Sequence, residues 1–282
     1  MKLVRSGLSV IVIAALAAGC ASSPRVEERE LRLRGSDTML VLNRRLAEAF
    51  MRANPGVSVR VEGGGTAAGV EALAAGEADV AAVSRPLLAD EVAVIYERFA
   101  ALGVRHLVAQ DALSVFVSSA NPVRALTLDQ LRGLFSGSIT SWAEVGGDEV
   151  EVVAIVRSPT SGTHRFFRDH VLKGAPYAAG ARTLPVTTDI LEAVRSDPRA
   201  IGYGGVAYRL PGVEVCAIDG VLPTVEAVRD GRYPLARYLS FYTVEPPVGL
   251  AKRFIDFCLG PEGQAVVAEV GYIPLWGLPG SV

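Results

Sequence analysis

The sequence predicts an α/β protein with two lobes, each built around a mixed, mostly parallel sheet that helices flank. Strand-like and helix-like segments alternate from residue 31 to residue 86, which is typical of parallel strands joined by helices. A β-prone run over residues 105–118 is long enough to pass from one lobe to the other. At 282 residues, 50% of them apolar, the chain can bury a core in each lobe.

The composition argues against a surface that binds nucleic acid or another polyanion. The formal net charge is −2 and the sequence has no basic stripe, so any anion site must be local. We predict no metal and no cofactor. The chain has no Cys-x-x-Cys pair, and His164 and His170 are too far apart in sequence to share a helix face as metal ligands.

Residues 1–20 have the composition of a bacterial export signal. A basic start precedes an apolar run, and small residues lead to Cys20. This end is similar to a lipobox, in which the cysteine receives lipid and becomes the new N-terminus, although Ala17 stands where leucine is more usual. We predict a lipoprotein signal peptide over 1–20, lipidation of Cys20, and a polar tether over 21–31. The alternative is ordinary cleavage, which would give a soluble exported protein.

The predicted elements follow one another in a regular order. In the first part of the chain we expect strands at 31–34, 57–61 and 80–83, and helices at 38–52 and 67–75. Further on we expect helices at 128–134, 164–172 and 249–259, strands at 150–156, 213–218 and 238–244, and a last helix after residue 264. Lobe 1 would comprise 32–112 and 236–282, lobe 2 would comprise 113–235, and the crossings would lie near 110–115 and 232–238.

The most informative stretch is Arg157-Ser158-Pro159-Thr160-Ser161-Gly162-Thr163. An arginine ends an apolar strand here, and Ser-Gly-Thr opens a helix after a short turn. A helix N-terminus offers unpaired N–H groups and a partial positive charge, and arginine adds a planar fork that matches two anion oxygens. The stretch therefore predicts an oxyanion pocket.

A strand, a turn of Gly, Ser or Thr, and a helix occur together three times. The turns lie at 35–38, 63–66 and 160–163. One such turn is usually only a helix N-cap, but three at the carboxyl ends of strands would direct amides and hydroxyls into a shared crevice. Arg85 also follows an apolar strand, where it could bind the anion or form a structural salt bridge.

A serine hydrolase is the enzymatic alternative, because Ser161 lies shortly before His164 in the sequence. A nucleophile needs a base within hydrogen-bond reach and an acid that orients this base. Nothing in the sequence marks the third member, and the G-x-S-x-G turn is absent. We therefore predict that the protein is not an enzyme.

Ordered segments along most of the chain carry a family resemblance. They are GSDTM at 35–39, GGGTAAGV at 63–70, ADVAAVSRPL at 78–87, NPVRALTLDQLRGLFSGSITSWAEVGG at 121–147, RSPTSGTHRFF at 157–167, IGYGGVAY at 201–208, YPLAR at 233–237 and PEGQAVVAEVGYIPL at 261–275. With them the chain resembles the phosphate-binding proteins of bacterial phosphate ABC transporters. The resemblance implies a two-lobed periplasmic-binding-protein fold of the type II-like class, with inorganic phosphate in the cleft between the lobes.

The resemblance, combined with the export signal, implies how such a protein would work. It would be a lipid-anchored monomer that faces the periplasm or the cell exterior and delivers phosphate to the permease and ATPase subunits of an ABC transporter. Two alternatives stay open. One is a receptor for another tetrahedral oxyanion, such as sulfate, molybdate or tungstate. The other is a phosphate-sensing or assembly protein at the cell surface that never delivers to a permease.

Position by position, the resemblance also implies a set of phosphate ligands. The family's arginine and Ser-Gly-Thr clamp fall on Arg157, Ser161, Gly162 and Thr163, and its first turn donor falls on Thr38. Three further implied ligands are Thr66, Ser84 and Arg85. Additional candidates are Ser36, Asp37, Met39 and Asp79.

The choice of phosphate over sulfate needs an acid. Hydrogen phosphate carries a proton that a carboxylate can accept, whereas sulfate carries none and would be repelled. In one branch of the family an acid follows the Ala-Ser of the third motif, but this chain has Ser84 and Arg85 there, like another branch. The remaining candidates are Asp37, which could equally be an N-cap, and Asp79, which could equally be a structural acid.

Overall fold

The computed structural model describes residues 30–277. The predicted signal peptide, the lipidation site at Cys20 and nearly all of the tether lie outside the described residues. Between residues 30 and 277, none of the helices is both long enough and apolar enough to cross a membrane.

Strands and helices alternate along the described part of the chain. Its strands are β1 (Glu30–Gly35), β2 (Ser58–Glu62), β3 (Val80–Val83), β4 (Val104–Ala112), β5 (Ser114–Ser118), β6 (Ala125–Leu126), β7 (Val153–Arg157), β8 (Arg182–Leu184), β9 (Ala200–Gly204), β10 (Val213–Ile218) and β11 (Ala236–Thr243). Its α-helices are α1 (Leu40–Ala53), α2 (Thr66–Ala75), α3 (Ala89–Phe99), α4 (Leu128–Ser136), α5 (Gly162–His170), α6 (Thr187–Ser196), α7 (Val225–Arg229), α8 (Gly249–Leu259) and α9 (Pro261–Val270). Short 3-10 turns lie at Asp37–Met39 and Trp142–Val145.

The strands form two mixed sheets. The first has the order β2-β1-β3-β11-β4, and in it β11 runs antiparallel to both of its neighbours. The second has the order β6-β10-β5-β9-β7-β8, and in it β5 runs antiparallel to both of its neighbours. Each of these antiparallel strands directly follows a crossing from the other sheet, whereas helices connect the parallel strands β1, β2 and β3. The predicted α/β class is confirmed.

The chain passes between the sheets at two adjacent points. β4 ends at Ala112 and β5 begins at Ser114, so the β-prone run over 105–118 consists of two strands that separate at Leu113. The N–H of Leu113 donates to the C=O of Leu235 at 2.9 Å, immediately before β11. This hydrogen bond ties the two crossings together, in the regions where the sequence places them.

The two sheets draw their strands from different parts of the chain. The first sheet draws its strands from 30–112 and 236–243, and the second from 114–218. In α8, the Phe254 ring packs on the Phe50 ring of α1 with centroids 5.4 Å apart, which places the C-terminal helices beside the first sheet. We therefore propose the lobe boundaries given above, 32–112 with 236–282 against 113–235.

Several elements differ from the sequence prediction. The first helix is preceded by the tighter 3-10 turn, so α1 begins only at Leu40. β7 begins at Val153 instead of residue 150, because the C=O of Val150 accepts from the N–H of Trp142 outside the sheet. Helices α3, α6 and α7 were not predicted; in α3 the apolar stripe is thin because Ile95 is its one buried residue.

The most buried strands position the ends that matter for the site. Every residue of β3, β5 and β9 is buried, as expected for strands covered on both faces. β3 leads into the turn with Ser84 and Arg85, and β7, whose last four residues are buried, ends at Arg157.

Candidate functional site

Arg157 is the last residue of β7, and its side chain is fully buried. Its guanidinium donates from Nε to the C=O of Pro185, from Nη1 to Thr187 Oγ1 and from Nη2 to Asp37 Oδ2, each at 3.1 Å. Burial lowers the pKa of Arg157, and the Asp37 carboxylate acts in the opposite direction. Because guanidinium does not deprotonate in proteins, Arg157 remains a cation that three partners hold in place.

Asp37 connects this cation to the first sheet. Its Oδ2 accepts from Arg157, and its Oδ1 accepts from the N–H of Gly64 at 2.8 Å. Asp37 lies in the turn after β1, Gly64 lies in the turn after β2, and Arg157 ends β7 shortly before the third turn. Two of the three turns singled out in the sequence, and the arginine that precedes the third, therefore meet at one carboxylate. A Cβ at Gly63 would lie 2.5 Å from Asp37 Oδ1, so glycine is required for this approach.

Two threonines join the sheets beside the ion pair. Thr38 Oγ1 and Thr163 Oγ1 share a hydrogen bond of 2.6 Å, and both side chains are buried. The C=O of Thr38 accepts from the hydroxyl of Tyr272, and the C=O of Asp37 accepts from the hydroxyl of Tyr208 at 2.9 Å. These tyrosines fix the backbone of the turn, so the hydroxyl of Thr38 is held opposite the start of α5.

The start of α5 also lies against the start of α2. A Cβ at Gly162 would lie 2.3 Å from Thr66 Oγ1 and 2.5 Å from Ser84 Oγ. Thr66 Oγ1 accepts from the N–H of Ser84 at 3.3 Å. In the first turn of α2, the N–H of Ala67 donates to the C=O of Thr160 at 3.3 Å. Glycine at position 162 therefore lets the N-termini of α2 and α5 lie close together, with the hydroxyls of Thr66 and Ser84 beside them.

Ser161 is the N-cap of α5. Its Oγ accepts from the N–H of Thr163 at 3.2 Å, which is the usual role of serine at this position. A hydroxyl that accepts such a bond can still donate its own proton. The predicted residues that the structure brings into this region are Ser36, Asp37, Thr38, Thr66, Ser84, Arg157, Ser161, Gly162 and Thr163.

Arg85 does not join this group, and its assignment to the anion is corrected. Its Nη1 and Nη2 donate to the two carboxylate oxygens of Glu91 at 2.7 and 2.6 Å, and Nη1 also donates to the C=O of Pro86. Glu91 accepts in addition from the N–H of Leu88 at the start of α3. Arg85 therefore forms the structural salt bridge that the sequence left open as the alternative.

Asp79 and Met39 also have other partners, so their assignments are corrected. Asp79 precedes β3, and its carboxylate binds Arg32 through both oxygens. Since a four-residue strand spans about 13 Å, Asp79 is too far from the carboxyl end of β3 to contact an anion beside Ser84. The N–H of Met39 donates to the C=O of Ser36 at 3.0 Å within the 3-10 turn, which uses the donor expected for the anion.

Two charged residues beside the crossings were not predicted. Asp111 of β4 and Arg237 of β11 form a buried ion pair, in which Arg237 Nε and Nη2 donate to Asp111 Oδ2 at 2.9 and 2.8 Å. Arg237 Nη2 also donates to Thr163 Oγ1 at 2.9 Å. An arginine in the apolar strand after YPLA was the available signal, because a buried charge requires a partner.

Side chains from β9 and α5 hold the backbone of Arg157 on both sides. Its N–H donates to the Tyr203 hydroxyl at 3.3 Å, and its C=O accepts from His164 Nδ1 at 2.7 Å. Burial raises the pKa of Tyr203 to about 12 and lowers the pKa of His164. Tyr203 is therefore a neutral phenol and His164 a neutral imidazole at neutral pH. Nδ1 of His164 is committed to a carbonyl and does not face Ser161 as a base.

This arrangement is suited to bind a tetrahedral anion. Hydroxyl groups from both sheets, the N-terminus of α5 and a buried arginine meet in one region, and these groups are the usual donors to oxyanions. Across residues 30–277, histidine, cysteine, aspartate and glutamate form no cluster that could hold a metal ion.

Comparison with known proteins gives relatives along nearly the whole chain. Residues 21–262 match the family model described as the PBP superfamily domain. The phosphate-binding protein PstS of Bacillus subtilis is 31% identical over 265 residues, which cover 90% of this chain and 85% of that protein. PstS of Pseudomonas aeruginosa is 28% identical over 263 residues, which cover 86% of this chain and 81% of that protein.

Solved structures agree with these relatives. A substrate-binding protein from Clostridium perfringens, solved with bound phosphate, matches with a TM-score of 0.82 at 28% identity and covers 88% of this chain and 100% of that chain. An ABC-type phosphate transport receptor from Vibrio cholerae matches with a TM-score of 0.72 at 26% identity, and the match covers 86% of this chain and 99% of that chain. The resemblance seen in the motifs is confirmed. The chain therefore belongs to the PBP superfamily, in the family of the PstS-like phosphate-binding proteins of ABC transporters.

Proposed function

We propose that this chain is an extracytoplasmic receptor that binds inorganic phosphate and delivers it to the permease and ATPase subunits of an ABC transporter. The observation that carries the proposal is that the turn after β1 meets the second lobe, where Asp37 pairs with Arg157 and Thr38 bonds to Thr163. Relatives and solved structures named for phosphate have this fold. We also propose that the receptor acts as a monomer.

In this proposal the anion lies between the N-termini of α2 and α5. Arg157 supplies a charge-assisted hydrogen bond, and the N-terminus of α5 supplies backbone N–H groups. The hydroxyls of Thr38 and Thr163 bond to each other in the structure and can turn toward an anion, because a hydroxyl hydrogen rotates to suit its acceptor. The remaining ligand hydroxyls would be Ser36, Thr66, Ser84 and Ser161.

Anion binding would favour the arrangement in which the lobes are close together. The donors belong to both sheets, so an anion can satisfy them all only when the sheets approach each other. Thr38 with Thr163, and Asp37 with Arg157, already make such contacts in the structure. The paired crossings at Leu113 and Leu235 would form the hinge.

Asp37 is the acid that we assign to the selection of phosphate over sulfate. It lies beside Arg157, whereas Asp79, the other candidate, lies at the far end of β3 and is bound to Arg32. A carboxylate can accept the proton of hydrogen phosphate and repels sulfate. The two oxygens of Asp37 each hold one donor in the structure and have lone pairs for a further one.

We infer that the protein is not an enzyme. The serine nearest to a histidine in the sequence, Ser161, caps α5 and accepts from Thr163, and His164 binds the C=O of Arg157. The two side chains thus serve the local backbone. Turnover of a phosphoester by the purified protein would contradict this inference.

We further propose that Cys20 is lipidated and anchors the receptor to a membrane, through the tether, on the periplasmic or outer side of the cell. The proposal rests on the lipobox-like segment that ends at Cys20. In a membrane fractionation, Cys20→Ser should appear in the soluble fraction. If Cys20→Ser remained with the membranes as the unchanged protein does, lipidation at this residue would be refuted.

Calorimetric titration with phosphate and with sulfate at the same pH tests the proposed function. We expect saturable binding of phosphate to one site per chain and much weaker binding of sulfate. Equal or tighter binding of sulfate, or no binding of phosphate, would contradict the assignment of a phosphate receptor. Molybdate and tungstate as competitors would then identify the oxyanion that the site does prefer.

A further inference from the structure

The ion pair of Asp111 and Arg237 lies where the chain leaves the first sheet. The two residues are direct cross-strand partners on β4 and β11. Asp111 is one residue before the end of β4, and Arg237 is one residue after the start of β11. Their side chains are nearly completely buried, with 0% and 3% of their surface exposed. An ion pair at this place can connect the hinge with the anion site.

Both members of the pair reach across to the second sheet. Asp111 Oδ1 accepts from the N–H of Val206 at 2.9 Å, which leaves Oδ2 for Arg237. Arg237 Nη2 donates to Thr163 Oγ1, the same oxygen that bonds Thr38 Oγ1. A guanidinium, two threonine hydroxyls and the turn after β1 therefore form one continuous set of hydrogen bonds.

One end of the Arg237 guanidinium has no acceptor. Nη1 is buried and has no hydrogen-bond partner among residues 30–277. The guanidinium carbon lies 5.1 Å from the centre of the Phe166 ring, so a cation–π contact partly compensates on one face. The N–H groups of Nη1 still lack an acceptor, and a buried charged donor without one is costly. An anion oxygen beside Thr163 would supply this acceptor.

We propose that Arg237 is a second arginine of the anion site, which contacts the bound oxyanion through Nη1 and orients Thr163 through Nη2. Asp111 is then a positioning residue that holds the guanidinium in place. This inference rests on the proposed function and deepens it. The second cation of the site comes from β11, where Arg237 contacts Thr163, and not from Arg85, whose Nη1 and Nη2 both donate to Glu91.

Phosphate titration of Arg237→Gln tests the assignment. Loss of hydrogen bonds from a charged donor should weaken phosphate binding about tenfold to a hundredfold. A structural explanation also exists, because the substitution leaves the Asp111 carboxylate buried, unpaired and able to repel an anion. The double variant Asp111→Asn/Arg237→Gln removes this repulsion and keeps two polar side chains that can bond to each other.

The double variant separates the two explanations. If Arg237 binds the anion, the double variant remains at least about tenfold weaker than the unchanged protein, although it folds. If Arg237 only neutralises Asp111, the double variant binds phosphate as the unchanged protein does, and the inference is overturned. Circular dichroism and thermal melting of both variants establish that they are folded.

Arg105→Gln provides the matched control. Arg105 lies on the same strand pair and its Nε donates to Ser240 Oγ at 2.9 Å, but it is far from the crossings and exposed. We expect its phosphate affinity to stay within about twofold of the unchanged protein. Should the unchanged protein fail to bind phosphate, the proposed function itself would fail. If the unchanged protein binds phosphate and Arg237→Gln binds it with the same affinity, the inference is overturned and the proposed function is unaffected.

Discussion

Arg85 and Arg157 lie at or just beyond the carboxyl ends of strands in different sheets, and they have different partners. Arg157 ends the buried strand β7, and Arg85 follows the buried strand β3 by two residues. Arg157 distributes its donors over Pro185, Thr187 and, in the other sheet, Asp37. Arg85 places two nitrogens on the single carboxylate of Glu91, which lies on the adjacent helix α3.

The difference shows how a buried arginine can be assigned to structure or to a ligand. Glu91 is only six residues from Arg85 in the sequence, and it also accepts from the N–H of Leu88 at the start of its helix. Residues of one short segment therefore suffice to form the bidentate pair with the Arg85 guanidinium. Asp37 accepts from a single nitrogen of Arg157, and this ion pair connects the parts of the chain that form the two sheets. An arginine with a local bidentate acid stabilises its own lobe, whereas one shared between sheets can respond to an anion.

Arg157→Ala is the substitution with the largest expected effect on binding. It removes a charge-assisted fork and leaves Asp37 unpaired beside the anion, so phosphate affinity should fall by at least about 2–3 kcal/mol. Calorimetric titration measures the loss, with Arg85→Ala as the matched variant that should keep its affinity. Near-normal binding by Arg157→Ala would remove this arginine from the site.

Arg85→Ala should instead lower the stability of the protein. Glu91 would lose both of its charged donors in a largely buried position, which we expect to reduce the free energy of unfolding by about 2 kcal/mol. Denaturant unfolding measures this change, and Arg45→Ala, at an exposed ion pair, serves as a control without a measurable effect. A large loss of phosphate affinity in folded Arg85→Ala would restore it as a ligand and break the contrast with Arg157.

Gly162→Ala tests whether the two helix N-termini must approach each other. The new Cβ would lie 2.3 Å from Thr66 Oγ1, so α2 and α5 would have to separate. We expect phosphate affinity to fall by about 1–2 kcal/mol, as is typical of overpacking. Gly174→Ala, where the added Cβ meets nothing within 4 Å, controls for glycine replacement in the same lobe, although its positive φ adds local strain. Unchanged affinity in Gly162→Ala would show that the approach is not part of binding.

Asp37→Asn should have the smallest effect, and it should act on selectivity. Asparagine no longer repels sulfate, so the ratio of phosphate to sulfate affinity should narrow by about tenfold, which is about 1.4 kcal/mol. Asp79→Asn is the matched control, because this acid binds Arg32 at the far end of β3. An unchanged ratio in Asp37→Asn, or an equal change in Asp79→Asn, would contradict the role of Asp37.

Much of the fold could be predicted because its signals are local. The strands Val80–Val83 and Val213–Ile218 and the helix Gly249–Leu259 lie where apolar patterning and turn residues place them. The pattern is weak where burial is slight, as in α3 with Ile95 as its one buried residue, and this helix was missed. The start of β7 was misplaced because Val150 pairs with a neighbouring loop, which no local pattern reveals.

The site shows the same limit for side-chain partners. The turns around Thr38, Thr66 and Ser161 could be predicted, because the glycine and hydroxyl residues of each turn are adjacent in the sequence. The pairing of Asp111 with Arg237 joins residues that are 126 positions apart, so it depends on the register of β4 and β11. The pairing of Arg85 with Glu91 is local, and a glutamate three residues into α3 could have indicated it.

We propose that one anion is held between the sheets by Arg157 and the threonine hydroxyls. The most direct measurement is a crystal structure of the protein grown with phosphate. We predict one phosphate with oxygens within hydrogen-bond distance of Arg157, Thr38 and Thr163, and with contacts to both sheets. A phosphate bound to Arg85, or to groups of one sheet only, would contradict the account.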